Sequence, residues 1–569
     1  MAAKGASKES FYFREEWKLL PDLFNVDDYY DCIANGNIYC AVDAKLWTMN
    51  TSSEIWNFLE EIDRDMNMYR RKVLHRYLCM PLGVLGSEVS MKRYSDALID
   101  AEIKNIGLNA TSEILACSNG IVTPTRYDYI LCAFFVVYMT TVLLATLLDV
   151  AGRMPETHFI VKFSLRYNWK QLLKTSRGED YTRLKCMQGI RFLNMILIID
   201  LHLKLMYTWF NTNHTEYMEQ LNDIVILKLL NHTDFFLVQT FFMISTWLLV
   251  IKIYDIQNKH GRFSFKHMCT VLLNRYFRLA VALAVPLAVN KSDLFMFNIV
   301  SPRNIVIENA RKQSCDNNSL ATILFYNNLF YYKDTCHFVT WYLSADFQLF
   351  VLIAFTFYYA LKYKLDDKYL WASLYLTIYI IYGCILYYID MDVLVRPRLR
   401  NFELVPFFES FPILVHYQST LSNILTSYIG VLLGTVYIKS KTLNRIKYLK
   451  LIKLLWLPAF IFFPLIAVFL TTIEYSRIMA AIIGPILKSL FTLGIGTGIL
   501  GMSVNLGGVV KRILESRFLE LMGNVAYCTY LYHMFVLFWY LEYWTMTGSI
   551  VNILKDLGVL VGQVLFSAN

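Results

Sequence analysis

The chain is poor in charge and lacks the short motifs that identify many soluble enzymes. Only 17% of its 569 residues are Asp, Glu, Lys or Arg. It has no P-loop, HExxH pair, GxSxG elbow or CxxC pair, so nothing supports nucleotide hydrolysis, a zinc site or a serine hydrolase. It also has no internal repeat and no low-complexity tract. Hydrophobic patterning is therefore the main source of information.

Hydrophobic residues make up 56% of the chain, and its mean hydropathy is +0.40. Such a composition is typical of a polytopic membrane protein. Apolar stretches of spanning length lie at 127–149, 190–209, 234–254, 270–289, 339–361, 370–390, 420–438, 451–472, 479–502, 521–543 and 548–566. The sequence therefore predicts an all-α membrane protein with about eleven spans, the last weakened by Lys555 and Asp556.

Residues 1–125 form a polar head that precedes the first span at 127–149. The polar start of the chain contains no apolar core of a signal peptide. The spacing of Cys32, Cys40, Cys79 and Cys117 predicts a small disulfide framework without fixing its connectivity. The alternative is four reduced cytosolic cysteines. Disulfides require an oxidising compartment, so the framework favours a luminal or extracellular head.

Charge and glycosylation sequons favour the same orientation. The formal net charge of +9 is concentrated in short basic loops, including the loop that follows the first span within residues 126–189. Six sequons fall on the opposite side: Asn50, Asn109, Asn213, Asn231, Asn290 and Asn317. Cys315 and Cys336 are a candidate disulfide on that side. We expect a multi-pass protein of the endoplasmic reticulum or plasma membrane.

Ionisable residues inside the apolar stretches are the candidate functional groups. Arg191 and His202 are eleven residues apart, so they share one helix face about 16 Å apart along the axis. His202 then lies near the bilayer midplane, where an ionisable group is costly and usually functional. The alternative is a histidine satisfied by a neighbouring helix. Asp200 and Lys204 are expected to neutralise each other at i, i+4 spacing.

Three other stretches carry polar residues at membrane depth. Arg275 and Arg278 lie three residues apart, where two guanidinium groups suit a phosphate, or else act as a basic anchor. Asp346 could orient a histidine or pair with an arginine, and Gln348 follows it. His533 is expected at mid-depth as a hydrogen-bond partner. Together these groups could hold a polyanionic donor above a buried base, or line a transport path.

The ordered set of motifs resembles the integral-membrane acyltransferase-3 superfamily. Arg191 with ten intervening residues before His202, Arg275 to Arg278, Trp341 to Gln348 and Tyr527 to His533 carry the resemblance. The head resembles that of the animal nose-resistant-to-fluoxetine branch in Asp27 to Cys32, Tyr39-Cys40, Leu46-Trp47 and Arg76 to Cys79. The resemblance covers about residues 17–545.

This resemblance implies ten core helices within 190–569, one preceding helix, and acyl transfer from acyl-CoA to a hydroxyl or lipid acceptor. His202 is then the general base, with Arg191 and Asp346 as further catalytic residues and Arg275 and Arg278 as donor ligands. His533, Gln348 and Tyr527 are expected around them. No metal and no nucleic acid are expected. Leu201 stands where the family has glycine, so a non-catalytic lipid or small-molecule transporter on the same scaffold is the alternative.

Overall fold

A computed structural model gives the fold of this protein. It describes residues 11–84, 88–121, 123–174, 178–209, 215–221, 225–293, 305–330, 335–365, 367–401, 410–442 and 445–546. These residues form a mixed α/β head and a long helical region. The predicted eleventh span at 548–566 and the sequon at Asn213 lie outside the described residues.

The head is built on a four-stranded sheet. Its elements are α1 Glu15–Leu19, β1 Phe24–Val26, α2 Tyr29–Ala34, β2 Ile38–Trp47, α3 Glu54–Arg64, β3 Val73–Met80, α4 Glu88–Ile103 and β4 Asn109–Ser118. The strand order is β1-β3-β2-β4, with β1 and β3 parallel and the other pairs antiparallel. The expectation of an all-α fold is therefore wrong for the head. Burial alternates along the whole of β3, which is the period of a strand covering a core.

Two disulfides bond the head, as the cysteine spacing predicts. Cys32 of α2 is bonded to Cys79 at the end of β3. Cys40 is bonded to Cys117, which lies directly opposite it across the β2–β4 pair. The structure thus supplies the connectivity that the sequence leaves open.

The remainder of the described chain is helical. Its helices are α5 Arg126–Val150, α6 Leu165–Leu173, α7 Glu179–Arg183, α8 Cys186–Trp209, α9 Thr215–Leu221, α10 Val225–His260, α11 Phe265–Lys291, α12 Ile305–Ile323, α13 Asn327–Phe330, α14 Trp341–Lys362, α15 Asp367–Ile389, α16 Thr420–Thr442, α17 Arg445–Thr471, α18 Arg477–Ser503, α19 Gly508–Leu514 and α20 Arg517–Met546. A π-helical turn, Ile413–Gln418, precedes α16.

Nine helices of the described chain are long and apolar enough to cross a membrane: α5, α10, α11, α14, α15, α16, α17, α18 and α20. Each coincides with one of the eleven predicted spans. The predicted span at 190–209 forms helix α8, which carries Arg191, Asp200 and Lys204 and is not among the nine. The protein is therefore a multi-pass membrane protein in its coarse architecture.

Helices α8 and α20 run parallel and touch backbone to backbone. A Cβ added at Gly523 would lie 2.2 Å from the carbonyl oxygen of Gln188, so only glycine permits this approach. Gly189 makes an equally close approach to the Leu514 carbonyl of α19. Further along the same two helices, His202 and His533 face each other. Close packing at one end thus sets the spacing of the two histidines.

The head is anchored to the helical region by two buried groups. Glu219 of α9 accepts hydrogen bonds from the Tyr69 backbone N–H at 3.0 Å, from the Tyr12 hydroxyl at 2.9 Å and from Arg71 at 3.4 Å. Arg400, which follows α15, inserts its guanidinium among backbone carbonyls of the head, including that of Met68 at 3.0 Å. The basic run 396–400 therefore includes a structural contact with the head.

Candidate functional site

A pair of buried histidines lies at the contact of α8 and α20. His202 Nδ1 and His533 Nε2 are 2.7 Å apart, and the two rings stack at 5.0 Å between centroids. His202 is 8% exposed and His533 5%. The edge of Phe338 closes another side of the His202 ring at 5.8 Å. The two predicted histidines are thus brought into direct contact.

The hydrogen bonds of this pair determine its protonation pattern. His533 Nδ1 lies 2.7 Å from the Tyr530 carbonyl oxygen, which can only accept, so Nδ1 carries the hydrogen. Neutral His533 therefore presents a lone pair at Nε2. His202 must donate its own Nδ1–H to that lone pair. The accepting lone pair of the His202 ring is therefore on Nε2. Among the described residues, His202 Nε2 has no hydrogen-bond partner.

A third histidine, His337, extends the cluster. Its Nε2 donates to the Leu531 carbonyl at 3.0 Å, so its Nδ1 accepts from the Asn290 amide at 3.0 Å. Asn290 is 3% exposed and its amide also donates to the Cys336 carbonyl. The candidate glycosylation of Asn290 is therefore wrong for this fold, because its amide nitrogen is buried and occupied.

The predicted disulfide between Cys315 and Cys336 is present and lies beside this cluster. It joins α12 to the turn that carries His337 and Phe338, the residue against His202. This turn leads directly into α14. The disulfide therefore holds in place the protein wall opposite the histidine pair.

Three arginines of α8 and α11 form a second polar group, called here the arginine group: Arg191, Arg275 and Arg278. Arg275 of α11 forms an ion pair with buried Asp346 and donates to the Ser245 hydroxyl at 2.7 Å. Its guanidinium also lies 4.1 Å above the Phe350 ring, which is the geometry of a cation–π contact. Arg275 is thus oriented from three sides.

Arg191 and Arg278 complete this group and have few partners of their own. Arg191 lies within electrostatic range of both Arg275 and Arg278, and its one hydrogen bond among the described residues is to Gln188 at 3.2 Å. Arg278 is exposed and has no ion-pair or hydrogen-bond partner in the described chain. Three clustered guanidinium groups with a single carboxylate leave excess positive charge, which suits an anionic ligand.

Three of the predicted site residues have other roles. Asp346 pairs with Arg275, and no hydrogen bond joins it to the histidines among the described residues. Gln348 donates to the Phe325 carbonyl at 2.8 Å and accepts from Thr420, so it is fully used in joining helices. Tyr527 donates to the Leu279 carbonyl at 2.9 Å. Gln348 and Tyr527 therefore join neighbouring helices, and neither makes a hydrogen bond to His202 within the described chain.

Two tyrosines connect the arginine group with the histidine pair. The Tyr342 ring lies 5.5 Å from that of Tyr530, which lies 5.7 Å from His533. Tyr342 also lies within electrostatic range of Arg191 and Arg275. Its hydroxyl has no hydrogen-bond partner among the described residues, whereas the Tyr530 hydroxyl donates to the Val339 carbonyl at 2.6 Å. Tyr342 is thus the side chain between the two polar groups.

Lys488 of α18 is a buried lysine that was not among the predicted site residues. Its ammonium donates to the His416 carbonyl, to Ser422 Oγ at 3.2 Å and to Asn423 Oδ1 at 2.9 Å. It contacts no carboxylate among the described residues. A lysine inside the apolar stretch 479–502 is a signal that could have revealed it. By contrast, Lys204 pairs with Asp200 at 2.6 Å, as predicted.

No family model, curated protein or solved structure matches this chain. Within the described residues, no group of three or more His, Cys, Asp or Glu side chains is arranged to hold a metal ion. The geometry of the site is therefore the basis for any functional assignment.

Proposed function

We propose that the protein is a membrane O-acyltransferase that moves an acyl group from acyl-CoA to a hydroxyl acceptor. The observation that carries the proposal is the hydrogen-bonded histidine pair, in which His202 presents an unshared lone pair at Nε2. The acyltransferase-3 resemblance of the Arg191 to His202 spacing supports the same assignment. A base oriented by a second residue is the usual arrangement for activating a hydroxyl nucleophile.

His202 acts as base and then as acid in the proposed reaction. Its Nε2 removes the proton of the acceptor hydroxyl as that oxygen attacks the thioester carbonyl carbon. Collapse of the tetrahedral species breaks the C–S bond, and the proton passes from Nε2 to the CoA sulfur. His533 orients the ring throughout. Because His533 Nδ1 is bonded to a backbone carbonyl, it offers no onward route for the proton.

The arginine group binds the phosphates of the donor in this proposal. Arg278 and Arg191 supply charge that no carboxylate of the described chain neutralises. Arg275 contributes to the same field while Asp346 fixes its orientation. Tyr342 lies between the arginine group and the histidine pair, and its hydroxyl donates to the developing oxyanion in this proposal.

The proposal is tested by thioester cleavage in the purified, reconstituted protein. Acetyl-CoA and longer acyl-CoAs are offered with extracted cellular lipids and glycans as acceptors. We expect acceptor-dependent release of CoA that His202→Ala abolishes. The matched control is His416→Ala, since His416 is equally buried but bonds Tyr382 in another part of the helical region. Release that persists in folded His202→Ala would refute the assignment.

A transporter on the same scaffold is the second candidate. Lys488 favours it, because a buried ammonium within a span that contacts no carboxylate in the described chain is costly and often marks a substrate path. No CoA release in wild type, together with movement of a labelled lipid that tolerates His202→Asn, would support transport instead.

We propose that the head is luminal or extracellular. Its two disulfides and the exposed sequons Asn50, Asn109 and Asn317 support this side. Asn231 is only partly exposed on α10, so it supports this side less strongly than the exposed sequons do. Substituting Asn50 and Asn109 by Gln should each remove one glycan from protein expressed in animal cells. An unchanged gel mobility for both variants would contradict the orientation.

A further inference from the structure

Helix α6 exposes an apolar row at the end of α5 that lies farthest from the head. Leu165, Trp169 and Leu173 are spaced four residues apart and are 64%, 60% and 38% exposed. Phe159, in the 3₁₀ turn just before the helix, is 67% exposed. Four large apolar side chains therefore project from this short connection.

Both ends of α6 are tied to the ends of membrane-spanning helices. Ser164 donates to Asp149 at 2.6 Å, and the Leu165 backbone N–H donates to Thr146 Oγ1 at 3.0 Å. Thr146 lies four residues, or about 6 Å, before the end of α5. At the other end, the Leu173 carbonyl accepts from Arg517, the first residue of α20. Helix α6 is thus held at the depth where hydrocarbon meets headgroups.

The charge beside the apolar row is mainly positive. Residues 150–174 contain five Lys and Arg residues and a single acid, Glu156. Arg166 and Lys170 directly follow Leu165 and Trp169 along the helix, and both are exposed. Lys170 forms a long ion pair with Glu156 at 3.6 Å, and Arg166 donates to the Asp149 carbonyl at 3.1 Å, so each has donors left for a headgroup. A short helix with tryptophan on its apolar face and basic residues along its edge matches an anionic bilayer surface.

We propose that α6 is an interfacial helix that buries Leu165, Trp169 and Leu173 in the leaflet opposite the head and binds anionic phospholipid headgroups through Arg166 and Lys170. The proposal is independent of acyl transfer. It assigns to the basic loop a lipid-binding surface in addition to its role in orientation. Since the loop contacts α20, the bound lipid lies beside the helix that carries His533.

Trp169 is a built-in reporter for the test. Wild type and Trp169→Phe are placed in nanodiscs of phosphatidylcholine that contain an equal mole fraction of dibrominated phosphatidylcholine or dibrominated phosphatidylserine. The wild-type minus variant fluorescence belongs to Trp169. We expect bromolipid to quench it, with phosphatidylserine the stronger quencher by about fivefold or more, since each basic residue near an anionic surface contributes roughly that factor.

The double variant Arg166→Glu/Lys170→Glu should bring the two quenching constants to equality while quenching by phosphatidylcholine persists. The matched control is Lys92→Glu/Arg93→Glu on the exposed surface of the head, which makes the same change in net charge and should leave the preference intact. Absence of quenching by either bromolipid would overturn the proposal and assign the row to a protein partner. Equal quenching in wild type would overturn the anionic preference.

Discussion

Replacing His533 by phenylalanine should lower turnover by about 10- to 150-fold without changing the Michaelis constant for acyl-CoA. His533 touches neither the arginine group nor the lone pair at His202 Nε2. Its function in the proposed reaction is to accept the His202 Nδ1–H at 2.7 Å and so keep the reactive lone pair on the other nitrogen. Phenylalanine fills the site but accepts no hydrogen bond.

The magnitude follows from the charge that appears on His202. When His202 takes the acceptor proton, its Nδ1–H bond to His533 becomes a charged hydrogen bond, which contributes about 1.5–3 kcal/mol. Loss of that energy from the transition state alone, at about 1.4 kcal/mol per factor of ten, gives the predicted range. A buried aspartate in the position of His533 would contribute more.

The assay follows CoA release by wild type, His533→Phe and His533→Gln at saturating acyl-CoA. Glutamine offers an oxygen acceptor to His202, so His533→Gln should retain more activity than His533→Phe. Thermal unfolding shows whether each variant is folded. Two equally impaired, folded variants would refute the orienting role, and so would an unimpaired His533→Phe.

Three further predictions concern stability. Glu219→Ala should loosen the contact between the head and the helical region, at a cost of about 3–5 kcal/mol for a broken buried ion pair, with faster proteolysis before α5 as the readout. Lys488→Met should lower the thermal midpoint, since each acceptor left unsatisfied costs about 1–3 kcal/mol; an unchanged midpoint would show that the amine is not structural. Burial opposes ionisation of Asp180, but hydrogen bonds from Lys441 and Tyr437 prevail and lower its pKa. Asp180→Asn should therefore destabilise the protein at neutral pH, and the difference from wild type should vanish as the pH falls through the pKa of the folded state.

The sequence predicted those features that depend on a short-range pattern, such as membrane spans and disulfide-bonded cysteines. Nine of the predicted spans are present because spanning length and hydropathy are local properties. The six disulfide candidates are all paired, although only the structure shows that Cys32 pairs with Cys79 and Cys40 with Cys117. The sheet of the head was not predicted, because it forms by pairing of strands that are distant in sequence, such as β2 with β4.

Contacts between distant segments could not be predicted from the sequence. The pairing of His202 with His533 depends on α8 and α20 touching at Gly523, which no local pattern reveals. Asp346 could orient a histidine or pair with an arginine, and the helix packing selects Arg275. His337 was overlooked because a lone histidine beside a cysteine carries no recognisable spacing.

Arg400 has a consequence for how the chain is made. Its guanidinium donates to the Met68 carbonyl across 332 residues, and to the Ile62 carbonyl beside it. The ribosome completes the head long before it reaches Arg400. The nascent head therefore keeps those carbonyls hydrated while several spans are inserted. The hydrogen bonds from Arg400 to the head form only after α15 has been inserted into the membrane. The head would therefore stay unfinished whenever insertion stalls upstream of that residue.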